Sequence, residues 1–223
     1  MDEGYPLTAR FRAAIADYRY LLEHSYAHTS ALRVVGDRYQ LDSPQRSMLY
    51  RGISPRETAR LRRARIAASV AGAEVAVDCY NVLYTVTNYL YGRPLFICDD
   101  GFLRDSGEMH HAKPATIERA VALMFRWIRS ELPTALALYL DSPVSRSGEL
   151  ALELRRRLAE AHIAGTAEAV RSPDHLLKEC RVGLIATSDS SVIDRAQVGV
   201  ADLARKIIES SFEARFIALD AIE

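Results

Sequence analysis

Lysine is almost missing from this chain: of 29 basic side chains, only Lys113, Lys178 and Lys206 are lysine, which leaves 26 arginines. We read this first as a composition bias and only second as a hint of phosphate binding. Cysteine is also sparse, and Cys79, Cys98 and Cys180 form no CxxC pair. Three isolated thiols argue against both a disulfide framework and a structural zinc centre. No apolar run approaches the roughly 20 residues that a membrane-spanning helix needs. The opening Met1-Asp-Glu-Gly-Tyr5 lacks the basic-then-apolar pattern of a secretory signal, so a cytoplasmic protein with no membrane partner is expected. Gly183 stands alone in Arg-Val-Gly-Leu-Ile, with no glycine-rich loop around it to cradle a phosphate. There is no internal repeat and no low-complexity segment. The single tryptophan, Trp127, falls with Phe125 and Met124 at core spacing on a helix, which reads as packing.

What is present is ordinary for a folded protein: 223 residues, 49% hydrophobic and 26% charged. That length suits one large domain, or a domain with an appendage. The formal net charge of zero hides an asymmetry. Residues 1–71 hold 12 Arg against 7 acids, a balance of +5, and residues 72–223 hold 17 basic against 22 acidic groups, a balance of −5. Solvated helix faces account for such a split; so does a basic segment that contacts a polyanion held near an acidic centre.

Residues 6–30 space Phe11, Ile15, Tyr18, Leu21 and Leu22 at three and four, the pattern of an amphipathic helix. Asp42-Ser-Pro-Gln45 reads as a cap with proline in the first turn. Ser54-Pro-Arg-Glu57 reads as a capping box opening a helix to about Ala71, which carries Arg60, Arg62, Arg63 and Arg65. From Glu74 short β-rich runs alternate with helical ones. Strands are expected at 74–78, 95–98, 135–140, 167–171, 182–187 and 215–219. Helices are expected at 81–91, 115–131, 147–163, a short stretch from Asp174, and 190–209. The stretch 99–114 interrupts the rhythm and reads as a long loop or β-hairpin insertion. The alternation predicts an α/β fold with a doubly wound, mainly parallel sheet over 72–223, preceded by an Arg-rich α-helical region over 1–71.

Four aspartates fall where apolar strands should end: Asp78 in Val75-Ala-Val-Asp78, Asp141 in Leu138-Tyr-Leu-Asp141, Asp174 in Ser172-Pro-Asp174, and Asp189 in Ile185-Ala-Thr-Ser-Asp189. Parallel sheets collect functional groups at their carboxyl edge, so acids far apart in sequence can converge there. Clustered carboxylates repel one another unless protons or cations neutralise them. Hard divalent cations take oxygen ligands, which makes the set a candidate Mg²⁺ or Mn²⁺ centre. Each aspartate also has a plainer reading as a helix N-cap.

The segment Val77-Asp78-Cys-Tyr-Asn81 resembles the opening motif of NYN ribonuclease domains, a branch of the PIN-like nuclease superfamily. Leu140-Asp141-Ser142, Ser172-Pro-Asp174 and Thr187-Ser-Asp189 resemble the acidic stations that follow it, in the family's order. The likeness spans about residues 72–220. It implies a PIN/NYN-like fold and metal-dependent hydrolysis of phosphodiester bonds, in RNA in preference to DNA, with Asp78, Asp141, Asp174 and Asp189 as catalytic metal ligands. Asn81 and Asp194 would be secondary ligands or orient water; Asp99 and Asp100, outside that nuclease pattern, could reach the same rim in the same role or simply form a turn before Gly101. Arg60, Arg62, Arg63, Arg65 and Lys113 would hold nucleic acid. Many such domains carry another acid two residues after the last aspartate; here Ser191 stands there. The whole chain also resembles an uncharacterised prokaryotic family, domain of unknown function 434, through Val35-Gly-Asp-Arg-Tyr-Gln-Leu41, Gln45-Arg46, Leu49-Tyr-Arg51 and Cys98-Asp-Asp-Gly-Phe102.

Two rival readings stay open. A haloacid-dehalogenase-like phosphatase would use Asp78 as nucleophile, Lys178 as charge stabiliser, and Asp189 and Asp194 on the metal, but Tyr80 stands where that family wants a second aspartate. A non-catalytic RNA- or protein-binding module would keep the fold with a weakened centre, as Ser191 suggests. A homo-oligomer is left open. His110-His111 beside Lys113 lack the helical spacing of a zinc pair, and Cys79 has no neighbouring base to activate it.

Overall fold

The computed structural model describes residues 7–107 and 112–219. Along the chain come α1 (Ala9–Glu23), α2 (His28–Arg38), α3 (Ser43–Gly52), α4 (Arg56–Arg63), β1 (Glu74–Asp78), α5 (Cys79–Leu90), β2 (Leu95–Ile97), β3 (Leu103–Asp105) and α6 (Pro114–Glu131). They are followed by β4 (Ala135–Asp141), α7 (Ser147–Glu160), β5 (Gly165–Val170), α8 (Pro173–Glu179) and β6 (Leu184–Ala186). The last elements are α9 (Ser190–Ile193), β7 (Gly199–Ala201), α10 (Leu203–Ser211) and β8 (Ile217–Ala218). Two compact units share these elements. The first takes residues 1–64, 91–110 and 214–223, and the second takes 65–90 and 111–213. A division at residue 71 follows the sequence; by contact, the helices of the first unit also gather two later segments.

In the first unit the apolar stripe of α1 is buried as its spacing predicts, with Phe11, Ile15, Tyr18 and Leu22 packed against Val35, Met48, Leu49, Phe96 and Leu219. The expected helix 6–30 is two helices, because Ser25 turns left-handed at φ 63° and starts α2 in a new direction. At α3 the expected cap forms a full capping box: Asp42 accepts from the Gln45 N–H, and the Gln45 side chain accepts from the Asp42 N–H. Helix α4 departs from expectation. Ser54 does not cap it, and it stops at Arg63. The Ser54 N–H and hydroxyl are engaged instead by Asp99 and Arg62, at 2.7 and 2.8 Å.

Strand β2 pairs antiparallel with β3 and parallel with β8, giving a small sheet of order β3-β2-β8. The insertion thus contains the hairpin, but strands 95–98 and 215–219 do not join the large sheet. Gly52 explains their close seat on α3: an added Cβ would stand 2.6 Å from Leu219 Cδ1 and 3.0 Å from the Phe96 ring.

The second unit carries a five-stranded, all-parallel sheet of order β5-β4-β1-β6-β7. Its central strand β1 registers Val77 against Leu138 on one side and against Ala186 on the other. Successive strands step outward from β1 through β4 to β5; the chain then returns past β1 to β6 and β7. With right-handed crossovers that reversal sends the connections to opposite faces, compatible with a doubly wound fold. Helices α5, α6 and α10 pack on one another, and α7 packs on β4 and β5.

The expected helix 190–209 is broken by β7, whose outer edge accepts and donates bonds to the extended residues 65–67. Gly183 has a structural purpose: at φ 74°, an added Cβ would meet the Glu74 carbonyl oxygen at 2.2 Å. Only glycine lets the chain enter β6 that close to β1.

Candidate functional site

The strand order decides where a ligand belongs. In an open parallel sheet the crevice opens at the carboxyl edge where the winding reverses, here between β1 and β6. Asp78 ends β1 and Asp189 follows β6, so these two aspartates flank that crevice. Asp141 ends β4, the other neighbour of β1, and Asp174 opens α8 after β5.

Asp78 is 6% exposed and its Oδ1 accepts the Asn81 N–H at 3.1 Å. Burial pushes its carboxyl from 3.8 up to about 7; the Asn81 N–H works against that, and the charges of Asp174, Asp141 and Asp189 add to it. Three separated segments therefore place negative charge within electrostatic reach of one buried carboxyl. Asp141 is likewise raised, by burial and then by Asp174.

The capping and site readings turn out to be compatible. Asp189 caps α9, accepting from the Ser191 N–H at 2.7 Å and the Val192 N–H at 3.4 Å through Oδ1 alone. Asp174 is not the cap of α8, since Ser172 takes that place. It faces Lys178 at 3.7 Å, and the same ammonium lies 3.4 Å from the Ser191 hydroxyl. The position expected to hold a further acid is thus turned toward a cation.

Asn81 is a clamp. Its Oδ1 accepts both the N–H of Ser188 at 2.8 Å and the Ser188 hydroxyl at 3.1 Å, tying the start of α5 to the loop after β6. That oxygen is taken up in holding the two strand ends together. Asp194 sits exposed at the end of α9.

The Asp99-Asp100 pair lies in the first unit, within a network of arginines. Arg104 grips both oxygens of Asp100 at 2.9 and 2.8 Å, and Arg62 approaches at 3.5 Å. Asp99 takes the Ser54 N–H and faces Arg19 at 3.8 Å. Burial pushes its carboxyl up to about 6, and its Oδ1 has no partner. The bidentate Arg104 guanidinium already neutralises Asp100.

The arginines expected to hold substrate are similarly occupied. Arg60 is paired with Glu57, Arg63 donates to the Asp99 carbonyl at 2.7 Å, and Arg65 donates to the Ala196 carbonyl. Lys113 is exposed just before α6. His110 and His111 lie outside the described residues. Cys79 is buried with its thiol raised well above normal by burial, so it is no nucleophile.

Sequence reasoning passed over Tyr80 and Tyr84, which stack at 5.2 Å on α5. The charge of Asp141 contributes to raising both phenols, after burial, which puts the ring pair beside the acids. Their i, i+4 spacing directly after the strand was the available signal.

Among the described residues no three His, Cys, Asp or Glu side chains are arranged to hold a metal ion. The aspartates share an electric field without forming a closed ligand shell. A hard-cation centre does not require one: Mg²⁺ is commonly held by one or two carboxylates, its own waters and substrate phosphates. The donor chemistry therefore fits a cation that binds together with its substrate, and does not fit a resident, fully protein-bound metal. No helix among the described residues is long and apolar enough to cross a membrane.

Residues 10–65 match the family described as Protein of unknown function (DUF434), and residues 67–206 match Domain of unknown function (DUF5616). The first likeness, expected over nearly the whole chain, is confined to the N-terminal helices; the Cys98–Phe102 loop falls within the second match. An uncharacterized protein of Methanocaldococcus jannaschii is 28% identical over 198 residues, covering 86% of this chain and 94% of the relative. No solved structure matches the chain. Neither matching family is the NYN nuclease family, and neither description names an activity. Because the second match spans more than half of the chain, the protein belongs to the family Domain of unknown function (DUF5616).

Proposed function

We propose that this protein is a divalent-cation-dependent nuclease that hydrolyses phosphodiester bonds, with RNA as the preferred strand and a PIN/NYN-like second unit. One observation carries the reading: Asp78 and Asp189 flank the crevice where the parallel sheet reverses, and Asp141 and Asp174 act electrostatically on the same buried carboxyl. Mg²⁺ or Mn²⁺, bound with the substrate, would supply charge neutralisation at the scissile phosphate and the leaving oxygen.

The chain's own residues do the rest. Asp78 and Asp189 each keep one oxygen, Oδ1, on a backbone N–H, which fixes the carboxyl group at its strand end. Asn81 and Ser188 hold the two loops in register, so the carboxylates keep their spacing before substrate arrives. Asp78 holds a proton below about pH 7 and must release it to accept a cation. Cation affinity therefore rises with pH across neutrality.

The contact of Lys178 with Asp174 and Ser191 favours a second reading, a non-catalytic RNA-binding module in which a lysine replaces part of the cation's charge. A single assay separates them: incubation of labelled single-stranded and structured RNA with Mg²⁺, with Mn²⁺ or with EDTA. Cation-dependent cleavage that disappears in Asp78→Asn and Asp189→Asn supports the nuclease. Binding without turnover by the wild-type protein would leave the binding module.

A further inference from the structure

Beside the acids, within the second unit, lies a cavity of 340 Å³ lined by His175, Lys178, Glu179, Arg181, Arg195 and Gln197. It is formed by α8, the turn after it that carries Arg181, and the loop after α9 that carries Arg195 and Gln197. Three permanent cations face one carboxylate there, the reverse of the charge balance at the strand ends. Its volume falls within the ~300–1,000 Å³ range of small-molecule sites.

The lining groups are held in different ways. Arg181 is fixed by its own turn: it donates to the Lys178 carbonyl at 3.0 Å and pairs with Glu179 at 3.2 Å. The Gln197 amide is fixed by donating to the Arg195 carbonyl at 3.2 Å. The Arg195 guanidinium makes no hydrogen bond or ion pair among the described residues. Lys178 belongs to both places, lining the cavity while touching Asp174 and Ser191. An arginine fork with a neighbouring amide donor is the chemistry of phosphate recognition. A lysine that reaches from this cavity to the acids makes the two sites continuous.

We propose that this cavity seats a phosphate of the polynucleotide, adjacent to the diester held at the acidic cluster, so that it and not the Arg60–Arg65 segment anchors the strand. The proposal rests on the nuclease or nucleic-acid-binding reading of that cluster. That reading otherwise lacks a basic surface beside the acids; here the Arg195 guanidinium is uncommitted among the described residues, while Arg181 and Lys178 are held by ion pairs with Glu179 and Asp174.

The test is fluorescence anisotropy with a 5′-labelled single-stranded oligoribonucleotide in EDTA, titrated over a range of salt. Arg181→Ala/Arg195→Ala should weaken binding about 10-fold and flatten the salt dependence by roughly 0.7 per lost phosphate contact. Arg195→Lys should keep most of the affinity lost in Arg195→Ala. Inorganic phosphate should compete with the oligonucleotide on the wild-type protein and lose that effect in the double variant. Both arginines are exposed, so circular dichroism should be unchanged.

Wild-type affinity and slope in the double variant would overturn the proposal, as would failure of the wild-type protein to bind the strand at all. The two readings fail separately. Cation-dependent cleavage with unaltered binding by the double variant removes the anchor and leaves the nuclease. Binding that depends on Arg181 and Arg195, without cleavage under any cation, removes the nuclease and leaves the anchor.

Discussion

Replacing Asp78 with asparagine should stabilise the protein at alkaline pH while removing its chemistry. The carboxyl is buried and its charged form is opposed by burial and by three like charges, which moves it from 3.8 to about 7. An acid raised on folding binds more protons in the native state than in the unfolded one between those two values. Its favourable contribution is complete below about pH 4 and is lost as pH rises through about 7. About three pH units at 1.36 kcal/mol each set a ceiling of ~4 kcal/mol on that loss. Asparagine keeps an oxygen to accept the Asn81 N–H and carries no charge. Asp78→Asn should therefore match wild type near pH 4 and exceed it at pH 8 by about 2–4 kcal/mol, or roughly 5–10 °C in Tm.

The lone tryptophan makes the measurement local. Trp127 is 5% exposed on α6, in the same unit as Asp78, so its fluorescence during urea or thermal unfolding reports that unit. Mg²⁺ supplied with a non-hydrolysable oligoribonucleotide, both saturating at pH 8, should narrow the gap by stabilising wild type alone, by about 2.7 kcal/mol at 100-fold above Kd. A variant that is no more stable than wild type at pH 8, or an advantage independent of pH, would refute the reasoning. A cation effect of equal size in both proteins would detach the cation from Asp78.

Asp100→Ala should destabilise the first unit by about 3–5 kcal/mol, because Arg104 and Arg62 are left buried without their shared carboxylate; a denaturation midpoint unchanged from wild type would contradict this. Asn81→Ala should cost about 1–3 kcal/mol by removing the side-chain acceptor of the Ser188 N–H, and should lower cleavage sharply. Full activity in that variant would show that the clamp is not needed to space Asp78 and Asp189. Arg62→Ala should lower Tm whereas Arg60→Ala should not, since the first is partly buried beside Ser54 and Asp100 and the second is exposed with Glu57. Equal loss of RNA affinity in both, with stability intact, would restore the N-terminal arginines as a binding surface.

Local signals in the chain were legible where one element decided the outcome. The α1 stripe, the Asp42–Gln45 capping box and the alternation of strands and helices from Glu74 to Ala186 depend on periodicity and near neighbours, and they form as read to within a few residues. Signals were misread where a distant partner competed. Ser54 has the spacing of a capping box with Glu57, but the Asp99 carboxylate outbids that weak local bond for its N–H. The stretch after Ser190 has a helical pattern, yet Gly199–Ala201 gains a parallel neighbour in β6 and becomes β7.

By itself the sequence determined an α/β chain with acidic residues at the ends of its strands, because apolar spacing and strand-ending aspartates are properties of consecutive residues. Only the tertiary structure decided which strands adjoin. The order β5-β4-β1-β6-β7 makes Asp78 and Asp189 the edges of one crevice and excludes β2 and β8 from that sheet, and in the first unit Asp99 and Asp100 fall into a buried ionic network with Arg104 and Arg19. Strand pairing and ion pairing are chosen among partners tens of residues apart, so no window of neighbouring residues contains the competition that settles them.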